Sequence, residues 1–264
     1  MKTAIFVDGA FYRKQAEYCL GKKTAKERAD ELEAYCKAHL NYIESEHAEL
    51  QRVYYYDCEP MSAKVYHPYT KEEYDFSKTA VYEWTKKFFD ELRKKRKFML
   101  RYGKLNEKQA KYILGERALE QLLSGERSLE DLRAYDFKVQ IPQKRVDMMI
   151  GLDIASLAYK QQCEQMILIS GDSDFVPAAE LARREGIDFI LDPLGAYTAY
   201  DLREHIDGYR TCNEDFIKHG RDAQFSSAKV YVPHEVKEPA PKIEPEDDYL
   251  LDGETLLDDL RSLT

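Results

Sequence analysis

Two aspartates one residue apart, Asp172 and Asp174 in the stretch SGDSDF (residues 170 to 175), directly follow the apolar run Met166-Ile167-Leu168-Ile169. Asp8 follows the apolar run Ala4 to Val7 in the same way and is itself followed by Gly9. Asp147 stands at the head of RVDMMIGLDIASLAYK, whose Val146, Met149, Ile150, Ile154, Leu157 and Ala158 recur at helical spacing. Carboxylates gathered in one place repel one another, and hard divalent cations such as Mg²⁺ or Mn²⁺, which prefer oxygen ligands, relieve that repulsion. Mg²⁺ keeps several waters, leaving positions for a phosphate oxygen and an attacking water. The chemistry this suits is hydrolysis of a phosphodiester. The cation would polarise the phosphoryl group, lower the pKa of its water and stabilise the leaving oxygen, with one carboxylate as general base.

Each aspartate taken singly has a plainer role. Asp-Gly after a strand is a common turn, Asp172 and Asp174 would serve as turn formers or helix caps, and an acid in a helix's first turn is favoured by the helix dipole. Only convergence argues for a site, so the elements that position the four decide the matter. Strand-like apolar runs occur at residues 4–7, 53–56, 98–100, 166–169 and 187–191, and helix-length segments at 25–47, 78–96, 107–123, 145–162 and 175–185. Such alternation predicts an α/β domain with a mainly parallel sheet, in which ligands bind beyond the carboxyl ends of the strands. Asp8, Asp172 and Asp174 fall at such ends. Ser173 or Asp174 is the expected cap of the helix that follows, with Pro177 in its first turn and Gly186 at its end.

Asp153 differs from the others, because it lies inside the apolar stripe of the segment that Asp147 opens. An unpaired buried carboxylate is costly, so Asp153 must have a partner. Six residues along a helix is ~9 Å of rise and ~240° of rotation, poor geometry for sharing one coordination shell. Asp147 is therefore assigned to the metal and Asp153 to a supporting role, accepting hydrogen bonds from a nearby loop.

At 264 residues with 44% hydrophobic residues, the chain suits one large domain, residues 1–220, with an attached tail, residues 221–264. A helical and basic insertion is expected around 58–135. The tail is acidic and contains proline, reading as a disordered linker that ends in a short segment with leucines at 256, 257, 260 and 263, which reads either as an amphipathic element docking onto a protein partner or onto its own domain, or as a solvated tail with incidental leucines. The tail holds 5 Lys and Arg against 11 Asp and Glu, so most of the formal charge of −9 sits there and the remainder is nearly balanced. Net charge therefore does not exclude a nucleic acid partner. Five scattered cysteines with no CxxC pair read as reduced thiols of a cytoplasmic protein. No stretch approaches the ~20 apolar residues of a membrane span, and the start lacks a signal-peptide core.

Lys144 and Arg145, immediately before Asp147, are placed to contact a phosphate beside the metal. The basic stretch LRKKRKFMLRYGK (residues 92 to 104) reads either as a phosphate-binding patch or as a solvated helix end. The tyrosines of VYYYDCEPMSAKVYHPY read as sheet packing in preference to base stacking, and the histidines show no ligand spacing.

The stretches IFVDGAFYRK, QKRVDMMIGLDIASLAYK and MILISGDSDFVPAAELARREG together resemble the NYN domain family, a branch of the PIN-like nucleases, over roughly residues 3 to 215. The resemblance implies a Rossmann-like three-layer α/β sandwich and a ribonuclease site of aspartates with Mg²⁺ or Mn²⁺. It carries the family's first-strand aspartate onto Asp8, its VD aspartate onto Asp147, its SGDSDF pair onto Asp172 and Asp174, and its supporting helix aspartate onto Asp153. One position departs: many relatives read DGxN after the first strand, whereas this chain reads Asp8-Gly9-Ala10-Phe11, and Phe11 has no amide with which to orient a ligand.

The leading expectation is a metal-dependent endoribonuclease acting on single-stranded or structured RNA. The alternative is a catalytically weak or inactive regulatory member of the same family acting by RNA or protein binding. A hydrolase of small phosphoesters would use similar acids but an enclosed pocket.

Overall fold

Ala4, Ile5, Phe6 and Val7 are wholly inaccessible to water, as expected of a strand at the centre of a parallel sheet covered on both faces. In the computed structural model, which describes residues 1–41, 48–196 and 200–219, this run is β1 (Lys2–Asp8). The chain continues through α1 (Gly9–Leu20), α2 (Ala25–Leu40), β2 (Glu49–Asp57), β3 (Lys64–His67), β4 (Glu72–Asp75), α3 (Ala80–Arg93) and β5 (Phe98–Tyr102). There follow β6 (Lys104–Leu105), β7 (Lys111–Leu114), α4 (Glu116–Leu123), β8 (Phe137–Gln140), β9 (Gln143–Lys144) and α5 (Val146–Tyr159). The last elements are β10 (Gln165–Ile169), α6 (Val176–Arg184), β11 (Asp188–Asp192), α7 (Tyr200–Glu204), β12 (Gly208–Tyr209) and α8 (Glu214–His219).

Six strands form one sheet in the order β12-β11-β10-β1-β2-β5, and every pairing is parallel. The chain winds outward from β1 to one edge through β2 and β5, then returns to the centre and winds to the other edge through β10, β11 and β12. The winding direction reverses between β1 and β10, and in open α/β sheets the ligand crevice lies at such a switch point.

Alternate residues of each strand feed two apolar layers. Phe6, Tyr54, Tyr56, Leu168 and Phe189 face Ile150, Ile154 and Phe175 on one side, and Ile5, Val7, Tyr55 and Ile167 face Tyr12, Leu32, Phe88 and Phe89 on the other. The molecule is thus the three-layer α/β sandwich expected. Phe6 stacks on Tyr54 at 5.3 Å between ring centroids, and Tyr55 meets Phe88 edge to face at 5.8 Å. The tyrosine run of β2 is sheet packing.

Local signals explain the helix boundaries. Thr24 and Glu27 form a reciprocal capping box at the start of α2. Gly186, with φ 81°, ends the α6 region in the left-handed conformation. The cap before α6 lies slightly upstream of the expected one: Asp172 caps a single 3-10 turn, Ser173–Phe175, from which α6 departs.

Several expectations need correction. Residues 107–123 are not one helix but a 3-10 turn, β7 and α4, and α1 had no counterpart among the expected helices. The chain between β2 and β9 builds antiparallel pairs, β3 with β4 and β7 with β8, while β6 pairs with β9, so the segment around 58–135 carries short ladders beside its helices α3 and α4. The expected helix 25–47 ends at Leu40 in the structure, and residues 42–47 lie outside the described residues. So does the expected linker and docking segment at 221–264. No described helix is long and apolar enough to cross a membrane.

Candidate active site

Strand register sets out the crevice. Val7 pairs with Ile169 and Asp8 with Tyr56, so Asp8 and Ser170 stand level across the switch point and Asp57 lies one residue further out on β2. Asp8 caps α1, its Oδ1 accepting the Phe11 N–H at 3.1 Å. The turn out of β1 is too close to β2 for any side chain at residue 9: a Cβ there would lie 2.5 Å from the Tyr55 ring and 2.6 Å from the Tyr56 carbonyl. Gly9 is therefore what allows α1 to start immediately behind Asp8.

Ser170, fully buried, joins the two central strand ends. Its hydroxyl donates to Asp8 Oδ2 at 3.4 Å, and its Oγ accepts the Asp172 N–H at 3.3 Å. Asp172 Oδ1 in turn accepts the Asp174 N–H at 3.0 Å. Asp147 arrives on the first turn of α5, entered from β9 through Arg145 in the left-handed conformation at φ 81°. The β6–β9 ladder carries that entry point close to the sheet, and Gly103 has no room for a Cβ, which would meet Val146 Cγ2 at 2.6 Å and the Lys144 carbonyl at 2.8 Å.

Electrostatics tie the acids together. Burial pushes the Asp8 carboxyl up to about 6. The Phe11 N–H offsets part of this, and Asp147, Asp57 and Asp172 add repulsion. Asp147 is also raised, by partial burial first and then by Asp172 and Asp174. Asp147, Asp172 and Asp174 are exposed, whereas Asp8 is half-buried. Among the described residues no three His, Cys, Asp or Glu side chains are drawn together closely enough to hold a metal as they stand.

Asp153 has the partners its burial requires, but they are not in a loop. Tyr56 donates to Oδ2 at 2.8 Å and Arg101 Nη2 donates to Oδ1 at 3.0 Å. Because α5 packs flat on the sheet, a carboxylate in its inner stripe meets the side chains of β2 and β5. Lys144 and Arg145 are both exposed at the approach to Asp147. The basic stretch 92–104 is largely spent internally: Arg93 pairs with Asp90, Lys94 with Glu91, Lys95 with Asp30 and Glu33, Lys97 with Glu49 and Arg101 with Asp153.

Three residues beside the crevice went unread in the sequence. Ser170 is one, although the strand-end position of SGD marks it. The others are Asp57 and Arg13, which form a two-bond pair, Nε to Oδ2 and Nη2 to Oδ1, each 3.0 Å. Tyr55 and the Cys58 N–H also donate to Asp57. No local pattern in Asp57-Cys58-Glu59-Pro60 distinguishes this carboxylate from a turn former.

The model of the NYN domain matches residues 2–211. The chain belongs to the NYN domain family. Among curated proteins none matches the chain. A solved structure of a protein of unknown function from Vibrio parahaemolyticus RIMD 2210633 is similar at 17% identity and a TM-score of 0.43, over 81% of this chain and 94% of that one. In this NYN domain the position after Asp8-Gly9-Ala10 contributes its backbone N–H to Asp8, while the Phe11 ring packs against the apolar layer under α1. The matched region also takes in the ladders between β2 and β9, so Gly103 and Lys144 lie within the domain.

Proposed function

We propose that this NYN-domain protein is a metal-dependent ribonuclease that cuts RNA internally by hydrolysis. The observation that carries the reading is Asp8: a half-buried carboxyl at the switch point, pushed up to about 6 by burial and by neighbouring Asp147, Asp57 and Asp172. A carboxyl raised by burial and by neighbouring acids at a ligand crevice marks a candidate site, and a bound cation would offset both costs. The donor set fits Mg²⁺ or Mn²⁺, being all carboxylate oxygen. That no three acids among the described residues form a closed cage is compatible with Mg²⁺, which is held through one or two carboxylates together with waters and substrate phosphate.

Asp8, Asp147, Asp172 and Asp174 are the candidate ligands, one or two of which would bind the ion directly and the others through its waters. When bound, it would supply polarisation of the phosphoryl oxygen and a water of lowered pKa. The chain itself does the rest. Ser170 keeps Asp8 and the Asp172 loop in register across the strand ends, and Asp153, clamped by Arg101 and Tyr56, holds α5 so that Asp147 stays at the crevice. An exposed carboxylate, Asp147 or Asp174, accepts the proton of the attacking water. Lys144 and Arg145 neutralise the phosphate next to the scissile one. The free thiols at all five cysteines fit a cytoplasmic setting.

The test incubates purified protein with labelled single-stranded RNA, duplex RNA, DNA and a generic phosphomonoester, each with Mg²⁺, Mn²⁺ or EDTA, beside Asp172→Asn. Metal-dependent RNA cleavage that disappears in Asp172→Asn is the expected result. Cleavage at the wild-type rate in that variant would sink the site assignment. Retained RNA binding without cleavage would identify a regulatory protein, and turnover of the phosphomonoester alone a phosphatase.

A further inference from the structure

Beside the crevice lie two cavities that the roles above leave unused. The first, about 340 Å³, sits between α1, the chain just after β2 and the start of α3. Ala10, two residues from Asp8, forms its inner lip, Met61, Phe76 and Tyr82 give apolar and aromatic walls, and Gln143 and the Arg13–Asp57 pair supply polar groups. The second, about 300 Å³, sits between α1, α2 and α3, where Arg13, Lys22, Lys23 and Arg28 surround Val81 and Trp84. Arg13 and Val81 line both, so the cavities are neighbours on one track that begins next to Asp8.

The chemistry alternates along this track. The first cavity is at the small end of ligand pockets, roughly 300–1,000 Å³, and joins apolar walls to a few fixed polar groups, which suits a flat heteroaromatic ring. The second is lined by four cations and one acid, Glu17, with Arg13 among them already paired to Asp57. Lys23 and Arg28 share Glu31, while Lys22 is 91% exposed with Glu17 at 3.9 Å, so positive charge remains at the mouth. Trp84 is held for stacking: Phe88 lies parallel to its ring at 5.1 Å, and its Nε1–H donates to the Lys23 carbonyl at 2.9 Å. Cations that follow a backbone, interleaved with aromatic faces, are the means by which single strands are bound without sequence reading. A duplex keeps its bases paired and stacked inside, where neither cavity can receive them.

We propose that this track binds an unpaired RNA strand leading away from the crevice, with one extruded base in the cavity beside Asp57, the next base on Trp84 and the phosphate between them at Lys22 and Lys23. The proposal rests on the ribonuclease reading above and narrows its substrate to RNA that is single-stranded on this side of the cut.

Trp84 is the chain's one tryptophan, so its emission reports occupancy directly. Full-length protein in EDTA is titrated with a fluorescein-labelled single strand of about 12 nucleotides, within the range of ordinary single-strand sites, and with the duplex of the same sequence. Trp84 emission and label anisotropy are both followed. The single strand should quench Trp84 saturably and the duplex should not. Val81→Glu, at a helix position 70% exposed, should weaken binding roughly tenfold, about 1.4 kcal/mol, without lowering the melting temperature. The track is overturned if RNA binds with Trp84 emission unmoved, if Val81→Glu binds like the wild type, or if no single strand binds. The two readings fail separately. Quenching of Trp84 without metal-dependent cleavage removes the ribonuclease and leaves the track, whereas cleavage with Trp84 unmoved removes the track alone.

Discussion

Two aspartates at the carboxyl ends of sheet strands, Asp8 on β1 and Asp192 on β11, have opposite surroundings. Asp192 is wholly buried and fully answered: Thr211 and the Leu194 N–H donate to Oδ1 at 2.8 Å each, and Oδ2 receives the Tyr35 hydroxyl and lies 2.8 Å from His39 Nε2. Asp8 has one backbone N–H and a longer hydroxyl contact, and its other near neighbours include three carboxylates. Asp57, also buried, resembles Asp192, with Arg13, Tyr55 and the Cys58 N–H around it. Burial of an acid therefore does not mark the site in this fold. What sets the proposed site apart is charge that the chain leaves unanswered, where the sheet's winding reverses between β1 and β10.

Removing each acid tests this contrast. The largest effect is expected at Asp192→Ala, which orphans a buried ring of donors and should destabilise the protein by about 3–5 kcal/mol, read from guanidinium unfolding. An unchanged midpoint would show that the knot around Asp192 is not structural. Asp172→Asn should leave that midpoint in place but lower metal-dependent cleavage roughly 100-fold or more, equivalent to ~2.7 kcal/mol of barrier. Asp8→Asn should go the other way in stability. The raised folded pKa of Asp8 means that its carboxyl favours the folded state below its unfolded pKa near 4, and that this contribution is lost as pH rises through about 6. Asparagine keeps the helix cap, so in EDTA near pH 7 the variant should be more stable by something on the order of 2 kcal/mol, with the difference vanishing below about pH 4. Urea melts at the two pH values decide it, and a variant less stable than the wild type at neutral pH would erase the contrast. The smallest effect is Lys144→Ala, expected to raise KM roughly threefold at unchanged kcat and to make the salt dependence of RNA binding shallower by about one counterion.

Much of the frame was legible because buried parallel strands are continuous apolar runs. Residues 4–7, 53–56 and 166–169 could be read as β1, β2 and β10, which places Asp8, Asp172 and Asp174 on one edge. The ladders before α5 escaped notice because β6 and β9 are two residues each, and β3, β4, β7 and β8, at four residues each, are too short and too polar for any alternation to stand out. Residues 107–123 looked helical throughout because Lys111–Leu114 is too short to declare a strand against the helix formers that follow it. That Asp153 needed a partner followed from the energetics of burial. Which partner did not, since Tyr56 and Arg101 lie 97 and 52 positions away and Arg101 looked like one cation among many.

The central pairing of β1 with β10 joins residues 162 positions apart in the chain. A nascent polypeptide can set Tyr56 of β2 beside Asp8 early, yet the other wall of the crevice is missing until Ile169 has emerged and Ser170 can close the gap. Long-range parallel pairing is among the slower events of folding. The crevice is therefore among the later features to mature, and a chain released early would carry Asp8 without the strand end that Ser170 brings beside it.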